Sequence, residues 1–262
     1  MTANAPIRTE SLTKRYGDAT AVRDLTFEVE RGEVFGFLGP NGAGKTTTMQ
    51  MLTTLTRPSS GEAWVGGASV TDRDAVVEEL GYMPEEPPIY DELTGREQLA
   101  YVAGLRDLPD DEADRKIRDL LDRFDLAADA DDRISTYSKG MKQKTALIQA
   151  LVHDPQVLFL DEPTSGLDPR AARTVRNLVS ELRDEGMTVF LSTHILPVVE
   201  ELADRVGVLH DGRLVAEGSP ESLTHRAESG EESTLEEVFL EVTSEHPEGE
   251  VGRNAEQSEF AR

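Results

Sequence analysis

The chain contains no cysteine, which excludes a disulfide framework, a thiolate metal site and a cysteine nucleophile. It is also short of lysine, with six among 27 basic residues. No apolar run approaches the roughly 18 residues of a membrane span. The densest stretch, Val157-Leu-Phe-Leu160, is only strand-sized. Residues 1–9 lack the apolar segment of a secretory signal, so the expected compartment is the cytosol. No basic stripe is visible and the formal charge is −24, which disfavours a nucleic-acid groove. Residues 221–262 hold 12 glutamates against three arginines, or −9 of that total, so the body is acidic as well. An acidic, lysine-poor, cysteine-free composition is similar to that of proteins from salt-rich cytoplasms, where the Debye length falls to about 3 Å. At 262 residues the chain is long enough for a sizeable core in one or two domains.

What the chain does have is a glycine-rich loop. Gly39, Pro40, Asn41, Gly42, Ala43, Gly44, Lys45 and Thr46 fit the spacing Gly-x4-Gly-Lys-Thr. An apolar run, Val34 to Leu38, precedes the loop, and a helical pattern of Met49, Leu52 and Leu55 follows it. A strand entering such a turn aims backbone N–H groups and the positive end of a helix dipole at one small volume. Gly39, Gly42 and Gly44 are expected to supply positive φ. Lys45 is placed to reach the β- and γ-phosphates of a nucleotide, Thr46 to ligate Mg²⁺, and Thr47 to bond the α-phosphate.

Strands are expected at residues 7–12 and 25–30 around a turn at Tyr16-Gly17-Asp18. By itself Tyr16 reads as a half-buried strand-end aromatic. Pro58 is expected to stop the loop helix, and short strands at 63–66 and 81–83 flank a helix over 72–80. Pro84, Pro87 and Pro88 then make a non-helical connector. From Thr94 to His153 the pattern is helical throughout, opening with a capping box, Thr94 with Glu97. Ile117, Leu120, Leu121 and Phe124 share one helix face. This block lies between strand-rich segments and reads as an all-α subdomain inserted in an α/β core.

Within the block, Ser138 is placed to cap a helix that begins with Lys139, Gly140, Met141, Lys142 and Lys144. Three lysines at a helix N-terminus oppose its dipole, so an anion is expected there. The strand 157–160 ends in Asp161 and Glu162, at the rim where open parallel sheets bind ligands. Asp161 suits Mg²⁺, and Glu162 suits a water. Asp168 is expected to cap a helix with Pro169 at its first position. The strand 187–192 leads to Thr193 and His194 on the same rim, and Asp211-Gly212 turns a hairpin. A short amphipathic helix is expected within 235–242, with disorder over 244–262.

Taken in order, these motifs resemble the ATP-binding subunit of an ABC transporter over about residues 5–242. The resemblance implies a P-loop NTPase (RecA-like) α/β core with an N-terminal antiparallel β part and the inserted all-α subdomain. Residues 1–220 would form the ATPase domain (core 1–84 and 154–220, helical subdomain about 85–153), and 221–262 an acidic extension. It further implies Tyr16 as the adenine-stacking aromatic and residues 39–47 as the phosphate loop. Ser138 to Gln143 becomes the signature motif, with Ser138, Lys139, Gly140 and Met141 at the nucleotide. Asp161 becomes the magnesium aspartate, Glu162 the catalytic glutamate, Asp168 part of the D-loop and His194 the switch histidine. ATP and Mg²⁺ are the implied cofactors. The implied partners are a second copy, paired head to tail, and a membrane-spanning permease that holds the chain at the cytoplasmic face. Two departures stand out. Glu85, an implied Mg²⁺ ligand, replaces the usual glutamine, and Tyr-Ser-Lys-Gly-Met replaces the commoner Leu-Ser-Gly-Gly-Gln. Both are similar to the branch of drug-resistance and sodium exporters. The rival reading, a soluble cassette ATPase of translation or DNA repair, lacks the tandem cassettes, arms or zinc inserts usual there.

Overall fold

The computed structural model describes residues 5–224 and 235–244. In chain order it contains β1 (Ile7–Tyr16), β2 (Ala19–Val29), β3 (Val34–Leu38), α1 (Lys45–Leu52), β4 (Ser60–Val65) and β5 (Ala68–Ser69). Next come α2 (Arg73–Glu79), β6 (Leu80–Met83), α3 (Gly95–Leu105), α4 (Asp110–Arg123), α5 (Lys139–Leu151) and β7 (Val157–Asp161). The remainder is α6 (Pro169–Asp184), β8 (Thr188–Thr193), α7 (Leu196–Leu202), β9 (Arg205–His210), β10 (Arg213–Gly218), α8 (Pro220–Thr224) and α9 (Leu235–Ser244).

Two sheets carry the fold. A four-stranded antiparallel sheet runs β2-β1-β4-β5, and a six-stranded sheet runs β10-β9-β3-β8-β7-β6. The larger is parallel except for the edge strand β10. Strands β3, β7 and β8 are buried at every residue, as expected of parallel strands covered on both faces. Phenylalanines bind the sheets together. Phe27 of β2 stacks on Phe35 of β3 at 5.4 Å between centroids and on Phe190 of β8 at 5.8 Å, and Phe159 of β7 meets Phe190 at 5.5 Å. On the opposite face, α3 to α6 share one apolar cluster with Met83, Leu158, Leu160, Val189 and Leu191.

Parallel register is what assembles the rim. Leu38 pairs with Thr193, Asp161 with Ser192, and Met83 with Leu160. The carboxyl ends of β3, β6, β7 and β8 therefore emerge along one edge, although they lie up to about 155 residues apart in the chain.

Helix starts follow the local signals. Thr94 and Glu97 form both halves of a capping box, Ser138 accepts from the Met141 N–H, and Asp168 accepts from Arg170 and Ala171 ahead of Pro169. The end of α1 does not follow the sequence expectation. It stops at Leu52, well before Pro58, where Thr54 turns left-handed at φ 62°. Leu55 thus leaves the apolar face and is 58% exposed. The first two strands are also longer than expected, since cross-strand pairing carries β1 through to Tyr16. The α9 helix buries Leu235 against Leu38, Val199 and Leu223. The expected disorder beyond residue 244 lies outside the described residues.

Candidate functional site

Each glycine of the loop serves a different need. Gly42 and Gly44 have φ of 84° and 106°. Gly39 does not, contrary to expectation; its hydrogen is required because a Cβ there would lie 2.5 Å from the Leu209 carbonyl oxygen. Gly44 is under both demands, with a Cβ falling 2.5 Å from the Ala21 oxygen. Gly42 faces open space. Pro40 and Ala43 close the turn through the Ala43 N–H, which donates to the Pro40 carbonyl at 3.2 Å. No side chain caps α1, so its first N–H groups point at the cleft unspent.

Lys45 folds over this loop. Its Nζ donates to the Gly39 carbonyl at 2.7 Å and the Pro40 carbonyl at 3.3 Å, and lies 3.9 Å from Glu162. Burial pushes the ammonium below its ordinary pKa, while Glu162, Asp161 and Glu85 act against that shift. One buried lysine therefore faces three carboxylates.

Asp161 and Glu162 end β7 at the same rim. Burial raises the Asp161 pKa above the ordinary carboxylate value, opposed by hydrogen bonds from Ser192 and Thr46. Glu162 takes a left-handed φ of 49°, held by its N–H donating to the Ser192 carbonyl at 2.9 Å. Such backbone geometry in a non-glycine residue is costly and recurs at functional sites. Both of its side-chain oxygens are held: Thr193 Oγ1 donates to Oε2 at 3.0 Å and His194 Nδ1 to Oε1 at 2.7 Å. A carboxylate acceptor places a proton on Nδ1 of the half-exposed His194 and turns the second ring nitrogen away from Glu162.

These groups line a cleft of about 300 Å³ that gathers Asn41, Lys45, Thr46, Thr47, Glu85, Glu162 and His194. Other expected site residues lie apart from it. Tyr16 is 49% exposed, with the Lys14 ammonium 4.9 Å over its ring. Ser138 is spent capping α5, Asp168 caps α6, and Lys139 Nζ rests on Gly166, where a Cβ would lie 2.2 Å away. Gly140 abuts Ala171, and Met141 packs against the helical core. Of the three lysines at the start of α5, Lys142 pairs with Asp91 at 2.5 Å. Sequence reasoning missed Ser192 and Thr193, the two buried hydroxyls that position the carboxylates. Polar residues closing an otherwise apolar strand were the available signal. It also missed buried Gln143, whose amide donates to the Pro163 carbonyl at 2.8 Å.

The donor set suits Mg²⁺. The Thr46 hydroxyl meets a buried carboxylate, Asp161, which gives hard oxygen ligands at the mouth of a phosphate-binding loop. No group of three or more acidic, histidine or cysteine side chains among the described residues forms a cage.

A strand, a phosphate loop and a strand-end Asp-Glu pair on a parallel rim define a P-loop nucleotide-binding protein. Residues 22–165 match the family described as ABC transporter. The chain is 41% identical over 229 residues to the daunorubicin resistance ATP-binding protein of Streptomyces coeruleorubidus, covering 87% of this chain and 72% of that one. It is 42% identical over 220 residues to the fluoroquinolones export ATP-binding protein of Mycobacterium tuberculosis, covering 83% and 72%. The probable multidrug ATP-binding protein of Escherichia coli is 36% identical, and the chain spans 41% of its length. Among solved structures, an ATP-binding subunit of an ABC transporter superposes with a TM-score of 0.81 at 32% identity, covering 90% of this chain and 99% of that one. The chain belongs to the ABC transporter family as an ATP-binding subunit. No helix among the described residues is long and apolar enough to cross a membrane.

Proposed function

We propose that the chain hydrolyses ATP in the cleft between residues 39–47 and Glu162, and that this powers export through a separate membrane-spanning permease. The observation that carries the reading is Glu162: a carboxylate whose two oxygens are held by Thr193 and His194, 3.9 Å from the loop lysine. Lys45 exchanges the Gly39 and Pro40 carbonyls for the β- and γ-phosphate oxygens, and the uncapped N–H groups of α1 receive the remaining charge. Thr46 and Asp161 would hold Mg²⁺, with Glu85 beside them, and the bound cation supplies charge neutralisation at the phosphates. Glu162 orients a water and accepts its proton as the water oxygen attacks the γ-phosphorus in line. The bond from phosphorus to the β–γ bridging oxygen breaks, and ADP and phosphate leave. His194 bridges Glu162 to the γ-phosphate.

Ser138, Lys139, Gly140 and Met141 do not line their own cleft, which supports a head-to-tail pair in which each nucleotide lies between one copy's loop and the other's α5 N-terminus. Tyr16 stacks on adenine, and Asp168 sits where the copies meet. Residues 85–153 act as the unit that moves on the core and passes motion to the permease at the cytoplasmic face of the membrane. The names of the resistance and export relatives support export over import. The test is a phosphate-release assay with light scattering on Glu162→Gln. Retained ATP binding, an ATP-stabilised dimer and little turnover are expected; near-normal turnover rules Glu162 out.

A further inference from the structure

Tyr16 lies outside the lining of the cleft, but on a hairpin that forms part of its wall. It pairs with Ala19 across the turn at Gly17, and Ala21 of the same strand lines the cleft. The Ala21 carbonyl approaches the phosphate loop so closely that a Cβ at Gly44 would lie 2.5 Å from it. Gly212 ties the hairpin to the loop a second time: its N–H donates to the Ala43 carbonyl at 2.9 Å, and its carbonyl accepts the Arg23 N–H at 2.7 Å. Backbone contacts therefore set where Tyr16 stands relative to the loop. Its ring is held as well. The Lys14 ammonium stands 4.9 Å over the ring centroid and donates to the Arg57 carbonyl at 2.7 Å. That carbonyl belongs to the segment after α1, which is stitched to the end of β1. The Ser59 N–H donates to the Thr13 carbonyl at 2.8 Å, and the Ser59 hydroxyl accepts the Arg15 N–H at 2.9 Å. The cation beside Tyr16 is thus anchored on main chain, while the ring, 49% exposed, still offers surface to a flat partner.

We propose that Lys14 is a positioning residue for the nucleotide base: it holds Tyr16 from one face and leaves the other for a purine to stack on. The proposal rests on the stacking role given to Tyr16 above and adds a second residue to it. An exposed tyrosine at the end of a strand samples several rotamers, and a base that stacks on it must freeze one. A ring already held by a cation loses less freedom on binding, so affinity rises by pre-organisation with no new contact to the nucleotide. Because the ammonium faces the ring and not the edge of the base, it serves purines alike. A lysine that acted by attracting phosphates would instead work whether or not the ring were present.

The test is a double-mutant cycle on the full chain, at a salt concentration where circular dichroism shows it folded. Equilibrium titration follows the binding of non-hydrolysable ATP and GTP analogues with Mg²⁺. Tyr16→Ala is expected to weaken both analogues about tenfold. Lys14→Met is expected to weaken both about fivefold, and to weaken neither further when Tyr16 is already alanine. ATPase KM rises about fivefold in Lys14→Met while kcat holds within about twofold. Lys14→Arg keeps a cation over the ring and recovers most of the affinity. Should Lys14→Met melt early, Lys14→Gln removes the charge, keeps a polar end for the Arg57 carbonyl, and is measured in its place with the same outcome expected. Wild-type affinity in that variant overturns the proposal. So does tighter binding, which would mean that the ammonium occupies the face the base needs. An equal loss with and without the Tyr16 ring overturns it too, by assigning Lys14 to the phosphates, and a loss confined to the ATP analogue does so by assigning it to the base edge. If Tyr16→Ala binds like the wild type, the stacking role and this proposal fall together while the phosphate site stands. A wild type that binds neither analogue overturns the nucleotide reading itself.

Discussion

Glu162 holds a left-handed backbone that most residues avoid, tied by its N–H to the Ser192 carbonyl. Ser192 binds Asp161 and Thr193 binds Glu162, so the two carboxylates are aimed separately by successive residues of β8. Thr193→Val removes the bond to Oε2 at nearly constant volume while leaving the His194 contact in place. ATPase kcat is expected to fall about tenfold with nucleotide affinity unchanged, and steady-state kinetics beside equilibrium binding separates the two. An unaltered kcat would show that His194 alone orients the carboxylate. The loop glycines predict a second contrast. Gly39→Ala and Gly44→Ala each drive a methyl to 2.5 Å from a carbonyl oxygen, whereas Gly42→Ala meets nothing and suffers only from its positive φ. Thermal melting is expected to show Gly42→Ala losing about 1 kcal/mol and the other two losing more. Equal losses in all three would remove the steric account of Gly39.

At the scale of elements, the junction between the helical block and the sheet contains a buried histidine. His153, just beyond α5, places Nε2 2.8 Å from the Leu80 carbonyl of β6, and its Nδ1 is buried with no hydrogen-bond partner. Burial, then the Arg106 charge, lowers its pKa from 6.5 to about 4, and Lys116 adds to this while the Leu80 carbonyl and Asp154 oppose it. Its folded pKa lies below the unfolded value, so the unfolded chain takes up the proton first. The stability this provides is whole above pH 6.5 and is lost as pH falls toward 4, amounting to about 2–3 kcal/mol. His153→Gln keeps a donor for Leu80 and is expected to flatten that part of a urea-denaturation profile between pH 6.5 and 4.5. An unchanged slope would assign the loss to other groups.

The same scale decides how much was legible in the sequence. Caps were legible because their partners lie two or three residues away: Thr94 with Glu97, Asp168 with Ala171. The loop and the Asp161-Glu162 pair were legible because spacing and an apolar lead-in identify them. Ser192 and Thr193 were not, because their roles depend on the β7–β8 register, a pairing of residues 31 apart. Nor was the Lys142–Asp91 pair, 51 residues apart. The end of α1 failed for the opposite reason: a local left-handed turn at Thr54 cut off a helical pattern that continued to Leu55.

For the whole molecule the controlling quantity is charge. A formal −24 on 262 residues opposes compaction in dilute buffer, since like charges repel over about 10 Å at 0.1 M salt and over only about 3 Å at 1 M. The surface ion pairs do not offset this. Arg96–Asp131, Arg123–Glu185 and Lys142–Asp91 are all solvent-exposed, where such pairs contribute little each and are themselves screened by salt. The two electrostatic effects therefore have opposite signs with salt: pairwise attraction weakens while net repulsion weakens faster, because it sums over many more charges. With 51 acidic residues against 27 basic ones, repulsion is expected to dominate. Stability should rise steadily from 0.05 M to about 2 M potassium chloride, with structure lost below about 0.5 M. Circular dichroism melts across that series, with a chain truncated after residue 244 run beside the full one, isolate the last five of the extension's 12 glutamates. A melting temperature independent of salt would mean that the apolar contacts between the two sheets and their helices outweigh the repulsion unaided. A rise that vanishes on truncation would place the effect in residues 245–262.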